Sequence, residues 1–160
     1  MHLSAILETD LLWPDEAAAQ ATAERLAGAL LPSPDATIEL HGPLGAGKTT
    51  FVRLLLRVLG VQGRIKSPSY AVMEVYDLPA SAGGGLASHF DFYRFGDPRE
   101  WEDAGFRDVF AAPGLKLCEW PEKAAGQLPP PDLQLFIELM PDDGRRVRVL
   151  GNPRLVEALA

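Results

Sequence analysis

Cysteine is nearly missing from this chain: Cys118 is the only one in 160 residues. No internal disulfide can form, and the reducing cytoplasm is the expected compartment. Long apolar runs are missing too. No stretch of 18 apolar residues occurs, so no membrane-spanning helix is expected. The start, Met1-His2-Leu3-Ser4, lacks the basic residues and apolar block of a signal peptide. Positive charge is in short supply: 15 Lys and Arg stand against 22 Asp and Glu, for a net charge of −7. Nucleic acid is gripped through phosphates by basic surface, so tight independent nucleic-acid binding is not expected, and action on RNA would have to run through a partner. Two short motifs are also lacking. Neither the guanine-reading [NT]-K-x-D nor the switch motif D-x-x-G occurs, which counts against a signalling GTPase and favours ATP. There is no arginine-rich lid of the kind that small-molecule kinases close over their substrates.

Against these absences stands one demanding pattern. Gly42-Pro43-Leu44-Gly45-Ala46-Gly47-Lys48-Thr49 is a complete G-x-x-x-x-G-K-[ST] loop. Its surroundings suit it: Ala36 to Leu40 reads as a strand, and Thr50 to Leu59 reads as a helix that stops at Gly60. The glycines let backbone N–H groups of Gly45, Ala46 and Gly47 wrap a phosphate chain, and the helix beginning near Thr50 points its positive end at that charge. Lys48 is placed to reach the β- and γ-phosphates and Thr49 to offer a hydroxyl to Mg²⁺. Nucleoside triphosphate binding, ATP rather than GTP, is the expectation.

The remaining pattern predicts one domain over residues 1–160, with 47% hydrophobic residues supplying a single core. Asp15 to Leu31 reads as a helix opened by Pro14-Asp15-Glu16. Tyr70 to Tyr76 and Ala87 to Phe92 read as strands joined by a glycine-rich turn, hence an antiparallel pair. Asp97-Pro98-Arg99-Glu100 looks like the start of a short helix through Asp103, Leu115 to Glu119 like a strand, and Pro121 to Leu128 like a helix. Leu133 to Leu139 and Arg146 to Leu150 alternate around Asp142-Asp143-Gly144 and predict a hairpin. The expected fold is three-layer α/β with a mixed parallel and antiparallel sheet. The strand before the loop is more polar, with Thr37 and Glu39, than a fully buried parallel strand should be.

Other residues carry chemistry of their own. A triphosphate hydrolase needs an acid near its metal, usually at the end of a strand beside the phosphate loop. Glu119 ends such a strand, though a polar strand end is also ordinary. His89, Asp91 and Tyr93 alternate with Phe90 and Phe92, which describes either a functional face or a merely solvated one. Ser67-Pro68-Ser69 reads as a plain turn or as a mobile loop whose hydroxyls meet the γ-phosphate and its metal. Trp13, Trp101 and Trp120 fit packing roles better than base stacking, and His41 carries no pattern.

Taken in order, the motifs Gly42 to Thr50, Lys66-Ser67-Pro68-Ser69-Tyr70, His89-Phe90-Asp91-Phe92-Tyr93-Arg94, Cys118-Glu119-Trp120-Pro121-Glu122-Lys123 and Leu128-Pro129 resemble the TsaE family of bacterial tRNA threonylcarbamoyladenosine biosynthesis, over nearly the whole chain. The resemblance implies a P-loop NTPase fold and a Mg²⁺-dependent, partner-stimulated ATPase working with a TsaB–TsaD heterodimer. That complex modifies the adenosine beside the anticodon of tRNAs reading A-starting codons, and tRNA is met only through it. The resemblance also places metal and hydrolysis roles on Thr49, Asp91 and Glu119 beside Lys48. It assigns a switch or partner-facing role to Ser67, Pro68, Ser69 and Trp120, and an adenine-side role to the segment containing Leu12 and Trp13. Two departures stand out: position 43, usually acidic, is Pro43 with no N–H to donate, and the switch loop ends in Ser69 where threonine is usual. The competing reading is a small-molecule kinase built on the same loop; a third is a nucleotide-binding scaffold without turnover.

Overall fold

The structure is a computed structural model that describes residues 6–66, 68, 72–96, 99 and 105–160. The chain order is β1 (Leu7–Trp13), α1 (Glu16–Leu30), β2 (Ala36–His41), α2 (Lys48–Val58), β3 (Met73–Asp77), β4 (Leu86–Asp91), α3 (Phe106–Ala111), β5 (Leu115–Glu119), β6 (Leu133–Leu139), β7 (Arg145–Gly151) and α4 (Pro153–Leu159). Among the described residues the strands form one sheet in the order β1-β7-β6-β2-β5-β4-β3. The inner strands β6, β2, β5 and β4 are parallel, while β1 and β7 at one edge and β3 at the other pair antiparallel. The expected mixed α/β sheet is therefore present.

Alternation along the strands sorts the core into two layers. Ile38, Leu40, Leu117, Leu133, Leu135, Val147 and Val149 turn to the face covered by α1, α2 and α4, and all are essentially inaccessible. Phe90, Phe92, Phe95, Phe106 and Cys118 form a separate cluster around α3. Its rings interlock, with Phe90 stacked on Phe110 at 4.7 Å and edge-on to Phe106 at 5.3 Å. Helix α1 is capped by Asp15, whose carboxylate accepts the Ala18 N–H at 3.0 Å. In α2 the exposed Arg53 and Arg57 lie opposite the buried Phe51, Val52, Leu55 and Leu56.

The polar residues of β2 prove compatible with burial because their needs are met in place. Glu39 accepts from the Gln134 amide at 3.1 Å and lies 3.2 Å from the His41 ring. The Thr37 backbone N–H donates to Asp132 at 2.8 Å. Satisfied in this way, polar groups on a central strand cost little.

Several expectations need correction. Residues 121–128 do not form an α-helix: only a 3₁₀ turn spans Pro121–Ala124, because Gly126 adopts φ +85° and breaks the helical path before a second turn can close. Strand β1 and helices α3 and α4 were not expected at all. Helix α2 begins at Lys48, earlier than Thr50. Apart from Arg99, which is helical, the expected helix over 97–103 lies outside the described residues, as do the first residues of the strand at 70–76 and Ser67, Ser69 and Trp101.

Cys118 sits in the aromatic layer with no exposure. Burial pushes its thiol well above the usual range, with the Glu39 charge adding to that and Lys116 opposing it. A buried, protonated thiol is a poor nucleophile, so iodoacetamide should label the native protein about 100-fold or more slowly than the unfolded chain. Mass spectrometry with and without guanidinium checks this. Equal rates would show that the α3 layer does not seal the residue.

Candidate functional site

Strand β2 is the central strand of the sheet and delivers the loop 42–47 at its carboxyl end, where a parallel sheet places its ligands. Glycine is needed at Gly42: φ is +150°, and a Cβ there would stand 2.6 Å from the Ile137 carbonyl oxygen. Gly47, at φ +107°, turns the chain into α2. Pro43, which lacks an N–H, instead accepts from the Ala46 N–H at 3.1 Å and helps close the loop.

Lys48 opens α2 and is buried. Its ammonium donates to the carbonyls of Gly42 and, at 3.3 Å, Pro43, and it stands 3.8 Å from the centre of the Trp120 ring. Burial pulls its pKa below the usual lysine value, while the charges of Glu119, Glu122 and Asp91 push it back up. Trp120 reaches this position because the chain leaves β5 in a left-handed conformation, φ +55°, an uncommon choice for a residue with a side chain and one that suits a functional turn. Tyr93 packs against it at 5.0 Å.

The next residue, Thr49, points across the sheet. Its hydroxyl lies 2.8 and 2.9 Å from the two carboxylate oxygens of Glu119, 70 residues further along the chain. Parallel pairing of β4 with β5 sets Asp91 directly beside Glu119. Burial holds the Asp91 carboxyl above the usual carboxylate range; the Tyr93 N–H, donating at 3.0 Å, lowers it, the Glu119 charge raises it, and His89 and Lys48 lower it. His89 is no part of a solvated face. It is 1% exposed, and its Nε2 lies 2.5 Å from Glu119.

Among the described residues, cavities lie on both sides of the 45–47 turn of the loop. One of about 340 Å³ is lined by Gly45, Lys48, Thr49, Asp91, Glu119 and Trp120. A smaller one of about 170 Å³ lies on the other side of Ala46 and Gly47, against Trp13, Thr50, Phe51 and Arg145. Trp13 is held there by stacking on Phe51 at 5.2 Å and by donating its ring N–H to Thr22 at 2.9 Å. Leu12 does not join it: the next residue back on β1 faces the other way and is 69% exposed. Pro68 is buried.

Arg145 is a site residue that the sequence did not single out. From the start of β7 it donates to the loop carbonyls of Ala46 at 2.7 Å and Gly45 at 3.3 Å. Its neighbours Arg146 and Arg148 point to the opposite face and pair with Asp10 and Glu8 on β1. Only strand parity separates the three arginines, so a strict in/out reading of the hairpin was the available signal.

This geometry is that of a P-loop NTPase, and comparison with known proteins narrows it. The family model for threonylcarbamoyl adenosine biosynthesis protein TsaE matches residues 13–147. The chain belongs to the TsaE family. One TsaE relative, the tRNA threonylcarbamoyladenosine biosynthesis protein of Haemophilus influenzae, is 41% identical over 118 residues, covering 74% of this chain and 72% of its own. The protein of the same name from Bacillus subtilis is 35% identical over 124 residues, covering 74% and 73%. The crystal structure of Bacillus subtilis YdiB superimposes with a TM-score of 0.66 at 27% identity, over 99% of this chain and 94% of that one. The matched segment contains the whole constellation from Trp13 to Arg145.

The donors gathered at the loop are hard oxygens: one hydroxyl and two carboxylates. Among the described residues no group of three or more His, Cys, Asp or Glu is arranged to hold a metal by itself. One or two carboxylates and a hydroxyl, completed by phosphate oxygens and water, are what Mg²⁺ takes in nucleotide sites. The residues present fit that ion. No described helix is long and apolar enough to cross a membrane.

Proposed function

We propose that this TsaE-family protein binds MgATP at residues 45–50 and hydrolyses it as its part in threonylcarbamoylation of tRNA. The observation that carries the reading is the Thr49–Glu119 contact at the mouth of the loop, with Lys48 and Asp91 alongside. Lys48 would neutralise charge growing on the β- and γ-phosphates, as cations do in phosphoryl transfer. Thr49, Glu119 and Asp91 would hold Mg²⁺, which supplies electrostatic stabilisation of the transferring phosphoryl group when bound. Trp13 and Thr50 would border the base side of the nucleotide.

The partner in this reading is a TsaB–TsaD heterodimer, and the compartment is the cytoplasm. A net charge of −7 leaves little basic surface for tRNA, so the substrate would be reached through the complex. Trp120 lines the cavity beside Lys48 and Thr49, and in this reading it and the Ser67-Pro68-Ser69 segment would pass the state of the nucleotide to a docked protein, in the way a γ-phosphate orders a switch segment.

The test is phosphate release from ATP with and without the TsaB–TsaD pair, with GTP as competitor. Release is expected to rise when the pair is added, and GTP to compete more weakly than ATP because no guanine-reading motif is present. Phosphate transferred to a small acceptor would point instead to a kinase; no release under any condition would leave a binding scaffold. Tight tRNA binding by the isolated chain at physiological salt would overturn the indirect route.

A further inference from the structure

His89 contacts neither the loop nor the cavity beside it, yet it is the other polar neighbour of the most important carboxylate. We propose that His89 is a positioning residue that fixes Glu119 for the metal, an assignment that rests on reading this site as a Mg²⁺-nucleotide centre. Glu119 is 2% exposed and His89 1%, so neither can turn to water for a partner. Nε2 is the ring nitrogen that faces the Glu119 carboxylate, at 2.5 Å, and toward a carboxylate that serves as a cation ligand it is the donor, since such a group only accepts. The other ring nitrogen, Nδ1, is buried with no hydrogen-bond partner among the described residues. A histidine kept for packing alone would be poorly chosen here, since it leaves a buried polar atom unsatisfied beside an aliphatic side chain, Leu117, its register partner on β5.

The contacts of Glu119 explain what the imidazole does. Thr49 meets both carboxylate oxygens, while His89 meets Oε2 alone. The Thr49 hydroxyl is the group assigned to the metal, so its hold on Glu119 is the one that metal binding would compete for. The His89 contact is independent of the loop, because it comes from β4 through the rigid parallel pairing with β5. It keeps Oε2 tied to the sheet and leaves Oε1 as the freer oxygen. Neighbours that orient a metal-ligating carboxylate in this way govern affinity for the ion without touching it.

The experiment uses the full chain with ADP and Mn²⁺ as probes, comparing wild type with His89→Leu, His89→Gln and His89→Asn. Mn²⁺ affinity of the ADP complex is read by electron paramagnetic resonance, and ADP affinity in EDTA is read separately. His89→Leu should weaken Mn²⁺ by about tenfold or more, with metal-free ADP binding changed by less than about twofold. His89→Gln, whose amide nitrogen reaches about as far as Nε2, should recover Mn²⁺ affinity to within about threefold, and His89→Asn, with its shorter reach, should not. Should His89→Leu fail to fold, the Gln and Asn contrast decides. Equal Mn²⁺ affinity in all folded variants, or an equal loss of metal-free ADP binding, overturns the proposal. A wild-type ADP complex that binds no Mn²⁺ overturns the metal-site reading itself.

Discussion

Replacing Lys48 with alanine is expected to reduce ATP hydrolysis by about 100-fold or more, the scale seen when one preorganised charge-stabilising group is removed. The side chain is already drawn into the site. Its ammonium bonds to the Gly42 and Pro43 carbonyls and rests on the Trp120 ring. Burial disfavours its charge, and the nearby Glu119, Glu122 and Asp91 restore it. A charge held at such cost is of most use where negative charge grows, on the β- and γ-phosphates in the transition state. No other basic side chain stands in the loop: Arg145 spends its guanidinium on the Ala46 and Gly45 carbonyls from outside. Steady-state phosphate release, with circular dichroism to confirm the fold, makes the measurement. Near-normal turnover in folded Lys48→Ala would remove the phosphate loop from the mechanism.

Glu119→Ala should lower Mg²⁺-dependent hydrolysis by about 100-fold, with Asp91→Ala following at about tenfold or more, while nucleotide affinity measured without metal changes little. The ranking follows from geometry. Glu119 already shares Thr49, the hydroxyl assigned to the metal, and its loss strands both Thr49 and the buried His89 without their acceptor. Asp91 stands one strand further out and accepts the Tyr93 N–H. Burial raises the Asp91 carboxyl, and only the ionised form binds a cation. Protons therefore compete with the cation for Asp91 as pH falls through that raised value, so the Mg²⁺ concentration needed for half-maximal hydrolysis should begin to rise above the ordinary aspartate range, and this rise should flatten in Asp91→Ala. Titrations of kcat against Mg²⁺ check the set. Parent-like hydrolysis in both alanine variants would show that the metal lies elsewhere.

How much of this was legible beforehand differs from element to element. The loop was, because its conformations are demanded residue by residue: Gly42 and Gly47 sit at backbone angles that side chains resist. The 133–139 and 146–150 hairpin was legible from strict alternation. Strand β1 was not. Its seven residues include Glu8, Thr9 and Asp10, and it earns a place only as an edge strand against β7, some 130 residues on, where Glu8 and Asp10 meet Arg148 and Arg146. Helix α3 needed the aromatic layer of Phe90 and Phe92 to pack on. The helix expected at 121–128 yielded to Gly126.

The sequence by itself determined that a phosphate loop lies between a strand and a helix, that Glu119 ends a strand and that Asp91 lies near the end of another, since these depend on local conformation and short-range pattern. Only the tertiary structure decided which of those groups meet. Thr49 touches Glu119 because β2 and β5 pair in parallel and bring their carboxyl ends level. His89 turns inward to the same carboxylate because parallel register with β5 sets its parity, and Arg145 reaches the loop carbonyls because β7 begins beside the loop in the folded sheet. Contacts between residues 30 to 100 positions apart are fixed by strand order and register, which no local pattern encodes.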